Sequence, residues 1–481
     1  MKYLFLTLFI SLIYTIGVSQ TTFNKVFYDN YHKNTNYISE INNNQYLIVG
    51  NRVDSTLLSD KFYILLDSTG AIIKDSLLID TTANMSFTSV LRRNKDELLL
   101  FGVKMKKNVA NDSVQIYYYD NNMNYKKRYS YRFSMQYQLA GLRTSIDSKG
   151  NIIFSGSGFV DNVRWRSFIM KIDTNNNIIA RNDTFYTDRS ELKSVIDLVT
   201  DSCYLVFGKG LSFVEYPYQM YKFDYNLNLL SMDSVRNGLT DFYNPIYYRK
   251  NEIIHTGQIT DHYANTSDFG VCILDSNLES KYFRRYGVDD TTEFPAGHES
   301  ISKYNNNVYI GATYNMEYLG QDCTKYMLIK MDTNYNVIWK KFYLGEDYDY
   351  MVSVIATSDG GCLMGGLHID MHPESDNTLA AIRLLKIDSN GVITWTKDIN
   401  PEQVKLNLFP NPTTDYVNIE VKGSQQIKEL SIIDINGKQV LKKQINTTHT
   451  RLDIRRLAKG LYIIEGVMKN GSWFSEKFVK E

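Results

Sequence analysis

The sequence predicts an all-β protein, a seven-bladed β-propeller followed by a small C-terminal β-sandwich. Two ladders of repeated residues and a change of pattern near residue 400 carry that prediction. Short apolar strands ending in glycine recur at Gly50, Gly102, Gly156, Gly208, Gly257, Gly311 and Gly366, 49–55 residues apart. A second set of apolar runs closes on Asp67, Asp120, Asp173, Asp224, Asp275, Asp332 and Asp388, 51–57 residues apart. A further apolar piece precedes each glycine strand and another follows each aspartate turn, so one period holds about four strands joined by hairpins. A single four-stranded sheet cannot bury both faces until neighbours pack against it around an axis, and a period near 50 residues supplies one such sheet. The 3.6-residue periodicity of a helical solenoid is absent.

Composition agrees. The 481 residues contain 53 Lys+Arg and 53 Asp+Glu, a net charge of zero that argues against a dedicated nucleic-acid binder. With 43% hydrophobic and 22% charged residues the chain is that of a folded protein, and 37 Tyr and 23 Phe between Asn-rich turns favour strands.

Taken in order, residues 1–19 predict a secretory signal peptide: Lys2, an apolar stretch from Leu4 to Ile16, then small residues before a cut after Ser19. No Cys follows the apolar core, which argues against a lipid anchor, and no later segment reaches the roughly 20 apolar residues of a membrane span. Residues 20–400 are the expected propeller. The strand from Thr22 to Tyr28 either completes the last blade or adds an outer strand, since blade seven has a candidate of its own in Val392-Ile393-Thr394-Trp395-Thr396. The first arrangement is preferred because pairing of chain ends keeps such a ring shut. Cys203, Cys272, Cys323 and Cys362 allow three disulfide pairings that no spacing selects, and buried free thiols are the expectation.

The stretch from Trp339 to Trp395, with Asp359-Gly360-Gly361 and Lys386-Ile387-Asp388-Ser389-Asn390-Gly391, resembles the propeller repeats of secreted Bacteroidetes proteins and is distantly similar to the quinoprotein-like repeat. Blades one to five lack the repeat's Trp, so the resemblance implies no quinone cofactor.

The pattern changes at Asn400-Pro401. Residues 401–405 read as a linker, and residues 406–481 carry four motifs in a fixed order: Pro410-Asn411-Pro412, Asp434 to Gly437, Gly460 to Tyr462, and Lys477 to Lys480. Together they are similar to the type A sorting domain of the type IX secretion system. That resemblance implies a small β-sandwich read by the outer-membrane translocon and sortase, a Bacteroidetes source, and release or attachment at the cell surface.

Catalytic motifs are absent: no Gly-x-Ser-x-Gly elbow, phosphate loop or useful Cys–His spacing appears. Asp-x-Asn-x-Asn at Asp120, Asp173, Asp224 and Asp332 resembles the start of a calcium loop. The twelfth position, where such a loop needs Glu, holds Tyr131, Thr184, Val235 and Tyr343, so these segments read as self-capping turns. Loops of blades five to seven are rich in acids and His, among them Asp289, Asp290, Glu293, His298, Glu299, Asp347, Asp349, Glu374 and Asp376. His368-x-Asp370-x-His372 alternates so that three ligands could fall on one side of an extended segment, a candidate metal site aided by Asp347 or Asp349, while a solvated loop reads the same residues equally well. No cofactor is predicted, and a divalent cation is the one this pattern would admit. Phe159, Trp165, Phe213, Tyr216, Tyr314 and Tyr318 are candidate stacking surfaces for sugars, although such loop aromatics more often pack loops onto the blades. The expected function is a secreted or surface-exposed, non-catalytic binding module for glycan or protein. The alternative is a hydrolase or lyase, which needs paired carboxylates at the propeller mouth.

Overall fold

The computed structural model describes residues 20–481 apart from 30, 43, 54–58, 80–82, 107–112, 133–136, 161–163, 184–189, 211–217, 236–238, 240–242, 250–251, 262–265, 276, 288–290, 317–322, 372–379, 394–405, 422–425, 435–438 and 470–472. The expected signal peptide and linker lie outside the described residues. The chain divides into two compact units, residues 1–394 and 395–481. The all-β expectation holds: among the described residues a 3-10 turn at Val199–Asp201 is the only regular element that is not a strand. No helix among them is long and apolar enough to cross a membrane.

In the first unit, each repeat period is one antiparallel sheet. The first sheet runs His32–Asn42, Gln45–Val53, Ser59–Leu66, Ile72–Leu78, each strand hydrogen-bonded to the next. Equivalent sheets begin at Ala83, Tyr137, Ser190 and Tyr243. In the sixth sheet the opening strand is split into Glu293–Pro295 and Ile301–Tyr304, both paired with Asn307–Tyr314. The seventh sheet takes its first three strands from Tyr348–Ala356, Cys362–Ile369 and Ala381–Ile387, and its fourth from the N-terminal Phe23–Phe27. Phe23 pairs with Lys386 and Phe27 with Ile382, so the N-terminal strand completes the last sheet. Val392 and Ile393 are not in a strand, and the rest of the rival candidate lies outside the described residues.

Middle strands are apolar on both faces because each sheet is covered by two neighbours. Leu47 and Val49 of the first sheet pack on Leu98 and Leu100 of the second, and successive sheets share similar clusters. The series closes on itself: Ile38, Ile48 and Ile64 of the first sheet share a cluster with Leu363, Ile382 and Leu384 of the seventh.

Both sequence ladders have a structural cause. Each ladder glycine lies on the second strand of its sheet, and Gly50, Gly102, Gly208, Gly311 and Gly366 face an irregularity in the first. There the first strand's backbone comes so close that a Cβ at Gly50 would lie 2.0 Å from Asn34 O, and one at Gly366 1.9 Å from Tyr350 O. Each ladder aspartate stands at the end of the third strand of its sheet and caps the turn that follows, which in the first six sheets leads into the fourth strand. Asp120 Oδ1, for instance, accepts the N–H groups of Asn122 and Asn124, both at 2.9 Å. Asp388 does the same for Asn390 and Val392 at 2.9 and 2.7 Å. In the Asp-Asn-Asn turns the second oxygen is also taken, by the side-chain amide of Asn124 at 3.1 Å or Asn336 at 2.9 Å. The self-capping reading therefore accounts for these carboxylates. All four cysteines are free thiols.

In the second unit, a three-stranded sheet (Leu406–Phe409, Tyr416–Val421, His449–Asp453) and a four-stranded one (Gln439–Thr447, Ile427–Asp434, Gly460–Met468, Trp473–Lys480) enclose one core of Val417, Ile419, Leu430, Ile432, Ile464, Phe474 and Phe478.

The turn aspartates give the first unit an acid-sensitive component. Hydrogen bonds from the N–H groups of Asn124 and Asn177 hold the carboxyls of Asp120 and Asp173 below the ordinary value of 3.8, and the Asn336 side chain and N–H do so for Asp332. Stabilisation from a depressed carboxyl is complete above its unfolded pKa and disappears as pH falls through the folded one. Thermal melts below about pH 4 should therefore show a steep loss of stability. An Asp120→Ala/Asp173→Ala/Asp332→Ala variant should show a shallower acid limb; equal slopes would contradict the account.

Candidate functional site

The first strands of the sheets converge on a common space, and their irregularities shape it. Register breaks fall between Thr35 and Tyr37, Phe87 and Ser89, Leu139 and Gly141, Leu192 and Ser194, Tyr243 and Ile246, and Met351 and Ser353. In the sixth sheet the break widens to residues 296–300, inserted between the two short strands. Gly311 holds both ends, its carbonyl accepting Ala296 N–H at 3.0 Å and its N–H donating to Ser300 O at 2.9 Å. The insert lies against the seventh sheet: Gly297 N–H donates to Met351 O at 3.1 Å, His298 N–H to Val352 O at 2.8 Å, and Val354 N–H to Glu299 O at 2.8 Å. A Cβ at Gly297 would stand 2.8 Å from the Tyr350 hydroxyl, so any larger residue there would have to push that side chain aside.

A cavity of about 80 Å³ results, lined from six sheets by Tyr37, Ser89, Arg143, Ser194, Asn244 and Glu299, among others. Several of its polar groups are tied down. Ser89 and Thr144 hydroxyls are 2.7 Å apart, Ser194 donates to Pro245 O at 3.1 Å, and Asn244 Nδ2 donates to Ile301 O at 3.1 Å. Glu299 is different. Burial pushes its carboxyl up to about 8, against the opposing pull of a hydrogen bond from Tyr37 and the charge of Arg143. Its Oε2 is buried without a hydrogen-bond partner.

A second cluster sits in the seventh sheet. Asp349 and His368 are cross-strand partners, with His368 Nδ1 2.9 Å from Asp349 Oδ1. Asp347 joins them, the three offering ligand-type atoms within 4.8 Å of one another. Arg383 of the next strand enters the same space: its Nε donates to Asp349 Oδ1 at 2.7 Å, Nη2 to Asp347 Oδ2 at 3.2 Å, and Nη1 to Asn24 Oδ1 at 3.3 Å. Tyr28 approaches from the N-terminal segment, its hydroxyl 3.3 Å from His368 Nε2. The guanidinium thus sets one positive charge against both carboxylates, and it ties the N-terminal strand to the sheet it completes.

Of the predicted ligands, His368 is buried and turned toward Asp349, Asp370 follows the strand end and acts electrostatically on Tyr28, and His372 lies outside the described residues. Asp289, Asp290, Glu374 and Asp376 lie outside them as well. Tyr314 is half-buried and packs edge-on against Phe342, with ring centroids 5.0 Å apart. The side chains of Phe159, Trp165, Phe213, Tyr216 and Tyr318 are outside the described ones. Sequence reasoning missed the grouping of Tyr37, Arg143 and Glu299; Pro295 and Gly297, two breakers set close together just ahead of a strand, were the available signal.

In the second unit the sorting motifs gather on the last strand. Asn411 Oδ1 accepts Val479 N–H at 2.9 Å and its Nδ2 donates to Lys477 O at 3.0 Å, which stitches the Pro410–Pro412 turn to that strand. Tyr462 stacks on Phe478 at 5.6 Å, Gly460 pairs with Lys480, and Asp434 pairs with Tyr462. Gly437 lies outside the described residues.

Residues 407–481 match the family model of the secretion system C-terminal sorting domain. The chain carries that domain, which implies export to the cell surface or beyond and contact with the type IX secretion machinery. No curated protein sequence matches the chain. Among solved structures, a fungal AA5-family alcohol oxidase in complex with copper is similar at 12% identity over 92% of this chain and 96% of its own, with a TM-score of 0.43. PorZ, a surface component of the type IX secretion system of Porphyromonas gingivalis, is similar at 9% identity over 91% and 68%, with a TM-score of 0.31. The β-propeller domain of the trilobed protease from Pyrococcus furiosus is similar at 10% identity over 76% and 99%, with a TM-score of 0.41. None of the three reaches 0.5, and none bears on the chemistry of this chain.

Removing Arg383 should be costly, because Asp349 is fully buried and would lose its counter-charge. Arg383→Met is expected to lower the unfolding free energy by about 3–5 kcal/mol in denaturant titration. A loss below 1 kcal/mol would show that another group carries the charge.

Proposed function

We propose that residues 20–400 form a seven-bladed propeller that binds a glycan or protein outside the cell without transforming it. On this reading residues 1–19 direct passage across the inner membrane, 401–405 link the units, and 406–481 form a β-sandwich that is the address for the outer membrane. The observation that carries the non-catalytic reading is the make-up of the axial cavity: Glu299 is its one carboxyl among the described lining residues, beside Arg143, Tyr37 and small hydroxyl side chains. Glycoside hydrolysis by paired carboxyls needs a second acid within about 5–10 Å of the first. In the other acidic cluster, Asp347 and Asp349 are both engaged by Arg383.

A glycan array probed with the purified two-unit protein, followed by mass analysis of each bound ligand after overnight incubation, tests this. Retention of intact ligand is the expected result. Appearance of shortened or unsaturated products would overturn it in favour of a hydrolase or lyase.

A further inference from the structure

We propose that the axial cavity is a carboxylate site, in which Arg143 and the carboxyl of Glu299 together receive the carboxylate of a small organic acid or of an acidic sugar. The proposal rests on the binding reading above and narrows its ligand chemistry.

Three observations lead to it. The sixth sheet departs from the repeat where five residues replace a narrow register break, and those residues deliver Glu299 into the space where the first strands meet. Glu299 Oε2 is buried with no partner, although Tyr37 donates to the carboxyl. Buried polar atoms in folded proteins are nearly always satisfied, so this oxygen calls for a group that enters the cavity. Finally, the charge there suits an anion. Desolvation keeps Glu299 largely protonated at neutral pH, leaving Arg143 to set the sign. A protonated carboxyl and an entering carboxylate share one proton in a strong hydrogen bond, with the guanidinium balancing the remaining charge.

Size limits what fits. A water needs roughly 10–15 Å³ of such space, so 80 Å³ takes a carboxylate head and its neighbouring carbon, with the rest of a larger ligand outside.

The titratable or charged groups lining the cavity with Glu299 are Tyr37, Arg143 and His298. Burial raises the Tyr37 hydroxyl well above its usual range, so it remains neutral throughout. Above about pH 8 Glu299 ionises and opposes a second negative charge, so affinity should fall by about tenfold per pH unit. Glu299→Gln removes that dependence and separates it from any titration of His298.

Calorimetric titration of the two-unit protein with sodium acetate, D-glucuronate and D-glucose between pH 6 and 9.5 decides the matter. Wild type should bind acetate or glucuronate but not glucose, and weaken above pH 8. Glu299→Gln should bind with no alkaline loss, and Arg143→Met should bind at least about tenfold more weakly. Should Arg143→Met fail to fold, Arg143→Lys and the Glu299→Gln pH profile carry the test. Acetate without glucuronate assigns the site to free acids; binding of both admits acidic sugars. Binding of neither acid, equal affinity for glucose, or a pH-independent wild type overturns the proposal. A positive glycan array with no such binding would leave the binding function standing and place its ligand elsewhere.

Discussion

Everything in the first unit depends on sheets whose middle strands are apolar on both faces. Strand Ser59–Leu66 is buried from Asp60 to Leu66, and Ala381–Ile387 is buried throughout. Such a sheet exposes an apolar face to water unless a neighbour covers each side, and a linear stack would leave two faces bare. The contact between the seventh sheet and the first removes both at once. Polar groups reinforce that seam: Glu40 Oε2 accepts Ser358 N–H at 2.7 Å, and Lys33 N–H donates to Ala380 O at 3.1 Å. Gln20 Oε1 accepts Ser389 N–H at 2.7 Å, anchoring the segment that leads into the N-terminal strand. Arg383 completes the set by binding Asn24 from within the seventh sheet. Closure thus joins residues more than 300 positions apart in sequence.

The same architecture explains why the centre is chemically distinctive. Outer positions repeat because every turn solves one problem, the capping of a strand end by its own aspartate. First strands are less uniform, since each must break its pairing to let several backbones approach one point. The sixth sheet uses that freedom most, and the result is an ionisable group, Glu299, in the same cavity as Arg143. The Asp349–His368–Arg383 group has a different character. It contains ligand-type side chains, but its guanidinium bonds to both carboxylates and to Asn24 and so fastens the N-terminal strand, while Asp349 Oδ2 is left buried without a partner.

Much of this was legible in the sequence because local rules repeat. The glycine and aspartate ladders located second strands and turns, and the Pro410-Asn411-Pro412, Gly460–Tyr462 and Lys477–Lys480 motifs located the sorting domain. Whether Thr22 to Tyr28 would close the last sheet could not be settled by pattern, since Val392 to Thr396 reads equally well as a strand and only tertiary pairing chooses between them. The metal candidate rested on alternation in His368-x-Asp370-x-His372. Alternation reports which face a side chain takes, but not that Arg383 on the adjacent strand occupies the same face. Tyr37, Arg143 and Glu299 are separated by 106 and 156 residues in the chain, and no local spacing could connect them.

The central claim is that the N-terminal strand is an integral part of a closed ring of sheets. Native-state hydrogen exchange tests it most directly, by comparing the amides of Phe23–Phe27 and Ala381–Ile387 with those of the middle strands elsewhere in the unit. The account predicts that amides paired between these two strands exchange with the same free energy as the slowest ones, because opening the seam bares both apolar faces. Rapid exchange of Phe23–Phe27 while the other sheets stay protected would contradict it.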